Sequence, residues 1–324
     1  MRTGRLALVL LSCALLPAAV AAAANVQIDA KIAAYHKVSG IAGNLSAVGS
    51  DTLNNVMTMW AESFRKQYPS VQVQVEGKGS STAPPALIAA TAQLGPMSRE
   101  MKADEIDAFQ KKFGYPPTQI RVAIDALAVY VQKDNPLEKL TLTQVDAIFS
   151  KTRRCGSPQS IETWGDAGLK GPLAAQPMRL YGRNSASGTY GYFKEIALCG
   201  GDYRDTVKEQ PGSAAVVQGV TEDKQGIGYS GIGYRTSGVK TLSLAKDAKS
   251  EFFSTEPGNV YGGKYPLARF LYLYVNRAPG KPLDPLTEQF VKFALSHEGQ
   301  EVVVKDGYLP LKAATVEQEL AKLR

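Results

Sequence analysis

Four short segments place hydroxyls beside acid, arginine or glycine: Gly49-Ser50-Asp51-Thr52, Gly79-Ser80-Ser81-Thr82, Met97-Ser98-Arg99 and Arg183-Asn184-Ser185-Ala186-Ser187-Gly188-Thr189. Three of them follow a strand-like or glycine-containing run and open a stretch with helical apolar spacing. Such a junction can hold an oxyanion. Free N–H groups and the positive end of the helix macrodipole converge there, and Ser/Thr hydroxyls add donors. A Ser, Thr or Asp ahead of a helix is more often only a cap, so no single segment decides. Four together, with two arginines, predict a pocket for a small desolvated anion such as phosphate. Its expected lining is Ser50, Asp51, Thr52, Ser80, Ser98, Arg99, Arg183, Ser187, Gly188 and Thr189.

A carboxylate among such donors would add selectivity. Near neutral pH phosphate carries one or two protons and sulfate none. A fixed carboxylate accepts the P–O–H hydrogen bond but faces only lone pairs on sulfate, and an unpaired buried acceptor costs about 1–3 kcal/mol. Asp51 is the expected acceptor. Asp125, inside an apolar run, is read as a hinge or crossover residue rather than a ligand.

The elements that must position these residues alternate. Leu53, Val56, Met57, Trp60 and Phe64 predict a helix over 53–68 that Pro69 ends. Val71-Gln72-Val73-Gln74-Val75 alternates as a strand. Pro84 and Pro85 fit the first turn of a helix continuing over 86–92, and 102–113 is helical. The stretch 121–131 reads as one long apolar strand, Thr141 to Phe149 as a capped helix, and 178–181 as a strand running into the Arg183 segment and a helix over 190–198. Strands over 225–230 and 270–275 and helices over 283–295, 298–305 and 315–323 complete an α/β chain. The two long apolar strands suggest a discontinuous first domain, 25–122 plus 268–324, with 123–267 inserted as a second. A cleft between two such lobes is a preferred ligand site.

Residues 1–24 read as a cleaved signal peptide: Arg2 and Arg5, an apolar stretch, then Ala21-Ala22-Ala23-Ala24. Leu10-Leu11-Ser12-Cys13 is a loose lipobox, and lipidation at Cys13 is the minor alternative. Periplasmic export follows as an expectation. The chain has 37 basic and 30 acidic residues. Without Arg2 and Arg5 the balance is 35 to 30, a net +5. That suits attraction of small anions and is too diffuse for nucleic acid. Cys155 and Cys199 then remain as an even pair, read as a disulfide, with two buried free thiols as the alternative. His36 and His297 lack a second ligand at metal-binding spacing, so no metal or cofactor is expected.

In order and spacing, the GSDT, GSST, MSRE and RNSASGT segments, with Gly226-Ile227-Gly228-Tyr229 and Tyr265-Pro266-Leu267, resemble the PstS family of phosphate-binding proteins over essentially the whole mature chain. The resemblance implies a type II periplasmic-binding-protein fold with two crossing hinge strands. It implies phosphate held in the interlobe cleft, a monomer in solution, and delivery to the permease subunits of an ABC importer. Arg183 resembles the family's phosphate-binding arginine. Ser187, Gly188 and Thr189 resemble its second-lobe helix start, and Asp51, Thr52, Ser80 and Ser98 its first-lobe loops. The sequence departs from the pattern in two places. Some members carry an aspartate where Arg99 and Ser185 stand here, which moves the expected proton acceptor to Asp51.

Rival functions are weaker. Ser63-Phe64-Arg65-Lys66 fits S-x-x-K, but it falls inside a helix and lacks the companion motifs. Gly228-Tyr229-Ser230-Gly231 lacks the last glycine of G-x-S-x-G, and no histidine pair supports a triad. A binder of sulfate, molybdate or phosphonate is the alternative, and a buried carboxylate is the feature that separates it from a phosphate site.

Overall fold

The computed structural model describes residues 26–324; the expected signal peptide and Cys13 lie outside them. The first strand, Gly43–Val48, pairs parallel with Val71–Glu76. Between them runs the helix Asn54–Gln67, which buries Val56, Met57, Trp60 and Phe64 on one face. The indole Nε1 of Trp60 donates to the Gly299 carbonyl at 2.8 Å, so this large core side chain also satisfies its polar atom. The helix stops at Gln67 because Tyr68 precedes Pro69 and is held out of the helical region, at φ −131° and ψ 85°.

A bridge between Ala47 and Leu94 joins this pair to a three-stranded sheet ordered Gly95–Met97, Ala268–Val275, Thr118–Ala126. Thr118–Ala126 and Ala268–Val275 run antiparallel along their whole length, from Thr118 opposite Val275 to Ala126 opposite Ala268. A separate five-stranded sheet is ordered Val239–Thr241, Ala128–Gln132, Gly226–Ser230, Arg179–Arg183, Lys208–Gln210.

The long apolar strand expected over 121–131 is two strands. Its first part ends at Ala126 and its second begins at Ala128 in the other sheet. Leu127 makes the crossing, donating its N–H to the Leu267 carbonyl and accepting from the Tyr265 hydroxyl. An apolar run has no period that would reveal such a switch. The helix expected over 86–92 is instead Ala83–Ile88, and the chain leaves it through Ala90 at φ 55°. The helix Ser213–Glu222 has no counterpart among the expected elements.

Two main cores, flanked by two smaller apolar clusters, follow from this crossing. One gathers Leu45, Trp60, Phe64, Ile120, Val122, Ala123, Leu271, Phe290 and Val303. The other gathers Leu127, Val129, Phe149, Trp164, Phe193, Ile227, Tyr229 and Leu267. Ile124 and Ile232 pack against both. Each core is a lobe, and the antiparallel strand pair passes from one to the other. In the second lobe Cys155 and Cys199 form a disulfide with Cα atoms 5.4 Å apart. In the chain-entropy model a closure of this length contributes roughly 4 kcal/mol.

Candidate functional site

The site grows from strand ends. The loops after Gly43–Val48, Val71–Glu76 and Gly95–Met97 are stitched together by backbone bonds: Gly79 N–H to Gly49 C=O at 2.7 Å, and Ser50 N–H to Pro96 C=O at 2.7 Å. This brings Asp51, Thr52, Ser80 and Ser98 to one edge of the first lobe. Ser98 N–H donates to Ser80 Oγ at 3.0 Å, and the two hydroxyls lie 3.3 Å apart.

The second lobe supplies the facing edge. The strand Arg179–Arg183 delivers the arginine, and the helix Gly188–Ile196 follows a short loop. Ser187 caps that helix, its Oγ accepting from Thr189 N–H and Tyr190 N–H. The cap role and the site role thus fall on one short segment.

The two edges touch. Thr52 Oγ1 and Thr189 Oγ1 are 2.9 Å apart, and Ser98 Oγ is 3.5 Å from Thr189 Oγ1. Ser81 N–H donates to the Ala186 carbonyl. Only glycine permits this approach at two places. A Cβ on Gly188 would sit 2.3 Å from Ser80 Oγ, and one on Gly79, at φ +112°, would sit 2.5 Å from the Ala186 oxygen. Four buried hydroxyls from both lobes therefore share one small space. Each is a rotatable donor that suits a tetrahedral ligand.

Charge enters from two sides. Arg183 is 1% exposed and pairs with Asp51 across the lobes at 3.0 Å. Its guanidinium also donates to Ser213 Oγ at 2.7 Å and the Pro211 carbonyl at 3.2 Å. Burial pulls Arg183 below its ordinary pKa while Asp51 holds it up; a guanidinium stays charged regardless. Asp51 Oδ2 also accepts the Ser213 N–H at 2.8 Å, at the start of the helix Ser213–Glu222. The backbone carbonyls of Asp51 and Thr52 accept from the Tyr234 and Tyr308 hydroxyls. Arg183 Nε and Ser50 Oγ are buried without a hydrogen-bond partner.

Arg99 stands apart. Its guanidinium forks onto both oxygens of Glu105 at 2.7 Å and reaches the Glu100 carbonyl and Ser81 Oγ. It lines a neighbouring cleft of about 590 Å³ with Tyr192, Glu195 and Phe270, and its donors are taken up by first-lobe partners. Ser185 is exposed.

Sequence reasoning missed Ser213, Tyr234, Tyr308 and Arg269. Arg269 donates to Thr189 Oγ1 at 2.9 Å and pairs with Asp125. Two opposite charges inside apolar strands were the available signal for that pair.

Residues 34–298 match the family model of the PBP superfamily domain. The phosphate-binding protein PstS of Pseudomonas aeruginosa is 59% identical over 303 residues, covering 94% of each chain. The chain belongs to the PstS family. The PstS of Staphylococcus haemolyticus is 27% identical over 87% of this chain and 85% of its own. A Clostridium perfringens protein, provisionally named a phosphate ABC transporter substrate-binding protein and solved with bound phosphate, superposes with a TM-score of 0.70. That match has 25% identity over 83% of this chain and 100% of the other. The Pseudomonas aeruginosa relative thus spans nearly the full described length.

A second carboxylate lies where the lobes meet. Asp306 is half-buried, and a Cβ on Gly233 of the other lobe would sit 2.6 Å from its backbone oxygen. Burial pushes its carboxyl from 3.8 up to about 7, partly offset by Asn55. Below about pH 4 folded and unfolded chains both hold this proton. Between about 4 and 7 only the folded chain retains it, so stability falls as pH rises, and the loss persists above 7. Asp306→Asn should raise Tm at pH 8 and leave it unchanged at pH 4. Melting curves of both proteins across that range check this; parallel profiles would remove Asp306 from the account.

Proposed function

We propose that this protein is the periplasmic receptor that binds inorganic phosphate and hands it to an ABC-type importer. The observation that carries this reading is the meeting of Thr52, Ser80 and Ser98 from one lobe with Thr189 from the other, beside the interlobe pair of Asp51 and Arg183. The donors satisfy a tetrahedral oxyanion, and the carboxylate suits an oxyanion that carries a proton. Ser50, Ser187 and Gly188 complete the lining through a buried hydroxyl, a helix cap and a close glycine approach. The relatives named phosphate-binding proteins support the same reading.

The lobes comprise 25–122 plus 268–324 and 123–267. They open about the crossing strands to admit phosphate and close over it. Closure expels water and strengthens each bond to the anion. The protein acts as a monomer, exported by its signal peptide, and its closed form engages membrane permease subunits. It binds and releases without catalysis.

Calorimetric titration of the phosphate-stripped protein, first with phosphate and then with sulfate, tests this directly. Tight one-to-one binding of phosphate and none of sulfate is expected. Equal binding of both would replace phosphate by a broader oxyanion class, and binding of neither would return the four segments to helix capping.

A further inference from the structure

Arg269 and Asp125 are cross-strand partners in the two crossing strands, directly opposite in register. Both side chains are buried, 3% and 0% exposed. Arg269 Nε and Nη2 donate to Asp125 Oδ2 at 3.0 and 2.7 Å, and Asp125 Oδ1 accepts the Ile232 N–H from the second lobe at 3.0 Å. The guanidinium lies over the Tyr192 ring at 5.2 Å. These contacts use two of the five guanidinium N–H groups, and the remaining donors reach further. Nη1 donates to the Ser98 carbonyl of the first lobe at 2.7 Å, and Nη2 to Thr189 Oγ1 of the second at 2.9 Å.

A guanidinium has donors and no acceptor. Thr189 Oγ1 must therefore accept from Arg269, and its own proton must point away, toward Thr52 Oγ1 or an anion oxygen in the shared space. Ser98 and Thr189 belong to opposite lobes, so one planar group can span them only when the lobes are together. Asp125 holds that group in one orientation, because both members of the pair sit on a rigid two-strand element.

We propose that Arg269, aimed by Asp125, is a positioning residue that fixes the Thr189 hydroxyl as a donor to the bound anion and latches the closed lobes. This rests on the phosphate reading above. In closed protein the latch has two anchors, Ser98 and Thr189; in open protein at least one is lost, so the ligand is released faster whenever the latch is weakened.

Arg269→Lys keeps the charge beside Asp125 but removes the fork. It should weaken phosphate binding about tenfold. The loss should appear as faster dissociation in stopped-flow measurements, with the association rate little changed. A misfolded fraction would lower the number of sites instead and leave the dissociation rate alone. The decisive comparison is a double-mutant cycle. In a Thr189→Val background the same Arg269→Lys change should alter affinity by less than about twofold, because the hydroxyl it aims is gone. Additive losses would overturn the proposal while leaving phosphate binding intact. Failure of the unaltered protein to bind phosphate would overturn the functional reading and this inference with it. If Arg269→Lys does not fold, Asp125→Asn with Arg269→Gln removes both charges together, and the same cycle with Thr189→Val decides.

Discussion

Arg183→Ala should raise the phosphate dissociation constant by at least about 10²–10³-fold, the cost of truncating one partner in a buried, hydrogen-bonded charge network. Three effects point the same way. The anion loses a buried second-lobe guanidinium that reaches Asp51, the chain neighbour of Thr52 in the hydroxyl cluster. Asp51 loses its partner at 3.0 Å and leaves an uncompensated negative charge beside the anion. Pro211 and Ser213 lose the donors that hold the loop before the helix Ser213–Glu222. Only the last is structural, and circular dichroism with a melting curve would expose it. Arg183→Lys separates the rest: it restores charge but not the planar fork, so it should recover part of the affinity. Isothermal calorimetry on both variants is the test. Near-wild-type binding by folded Arg183→Ala would remove this arginine from the site.

Much of the site was legible because its residues are clustered in sequence. Each hydroxyl segment sits at a strand end, and a strand end followed by Ser, Thr or Asp is readable from one stretch of chain. That these segments face one another was not readable, and neither were their partners. Asp51 meets Ser213 across a sequence separation of 162 residues, and Tyr308 meets Thr52 across 256. The helix starting at Ser213 hid because its N-cap is Gly212, which offers no side-chain cap, and its first turn carries no acidic residue. The Leu127 crossover hid because the run is buried on both faces from Asp125 through Val131, so nothing alternates across the switch. Arg99 shows the converse limit. Its type and place suit an anion, but Glu105, six residues on, folds back through the helix Ala103–Phe113 and takes both ends of the fork. Arg269 instead brings a guanidinium from a crossing strand into direct contact with the hydroxyl cluster, at Thr189. Local pattern thus pointed to the loops, and only tertiary contact shows which partners their charged groups meet.

Asp51→Asn should collapse discrimination between phosphate and sulfate, from about 10⁴–10⁵ expected of a site built around a required hydrogen bond toward near equality. Asparagine matches aspartate in shape and keeps one acceptor for the Ser213 N–H, so the interlobe contact at 2.8 Å is preserved. What changes is charge and hydrogen-bond sense. The P–O–H proton loses its acceptor, which weakens phosphate by about 10–100-fold. Against that, removing a negative charge beside Arg183 favours any anion. For phosphate the two effects oppose each other, so its affinity alone is ambiguous. For sulfate they act together, since it has no proton to place and no longer meets a carboxylate. The ratio of the two constants is therefore the quantity to measure, because the general electrostatic gain cancels in it. Calorimetric titrations of wild type and Asp51→Asn with each anion give that ratio. An unchanged ratio would confine Asp51 to holding Arg183 and Ser213, and the proton acceptor would then have to be sought among the carboxylates nearest the hydroxyl cluster, Asp125 first, despite its engagement with Arg269.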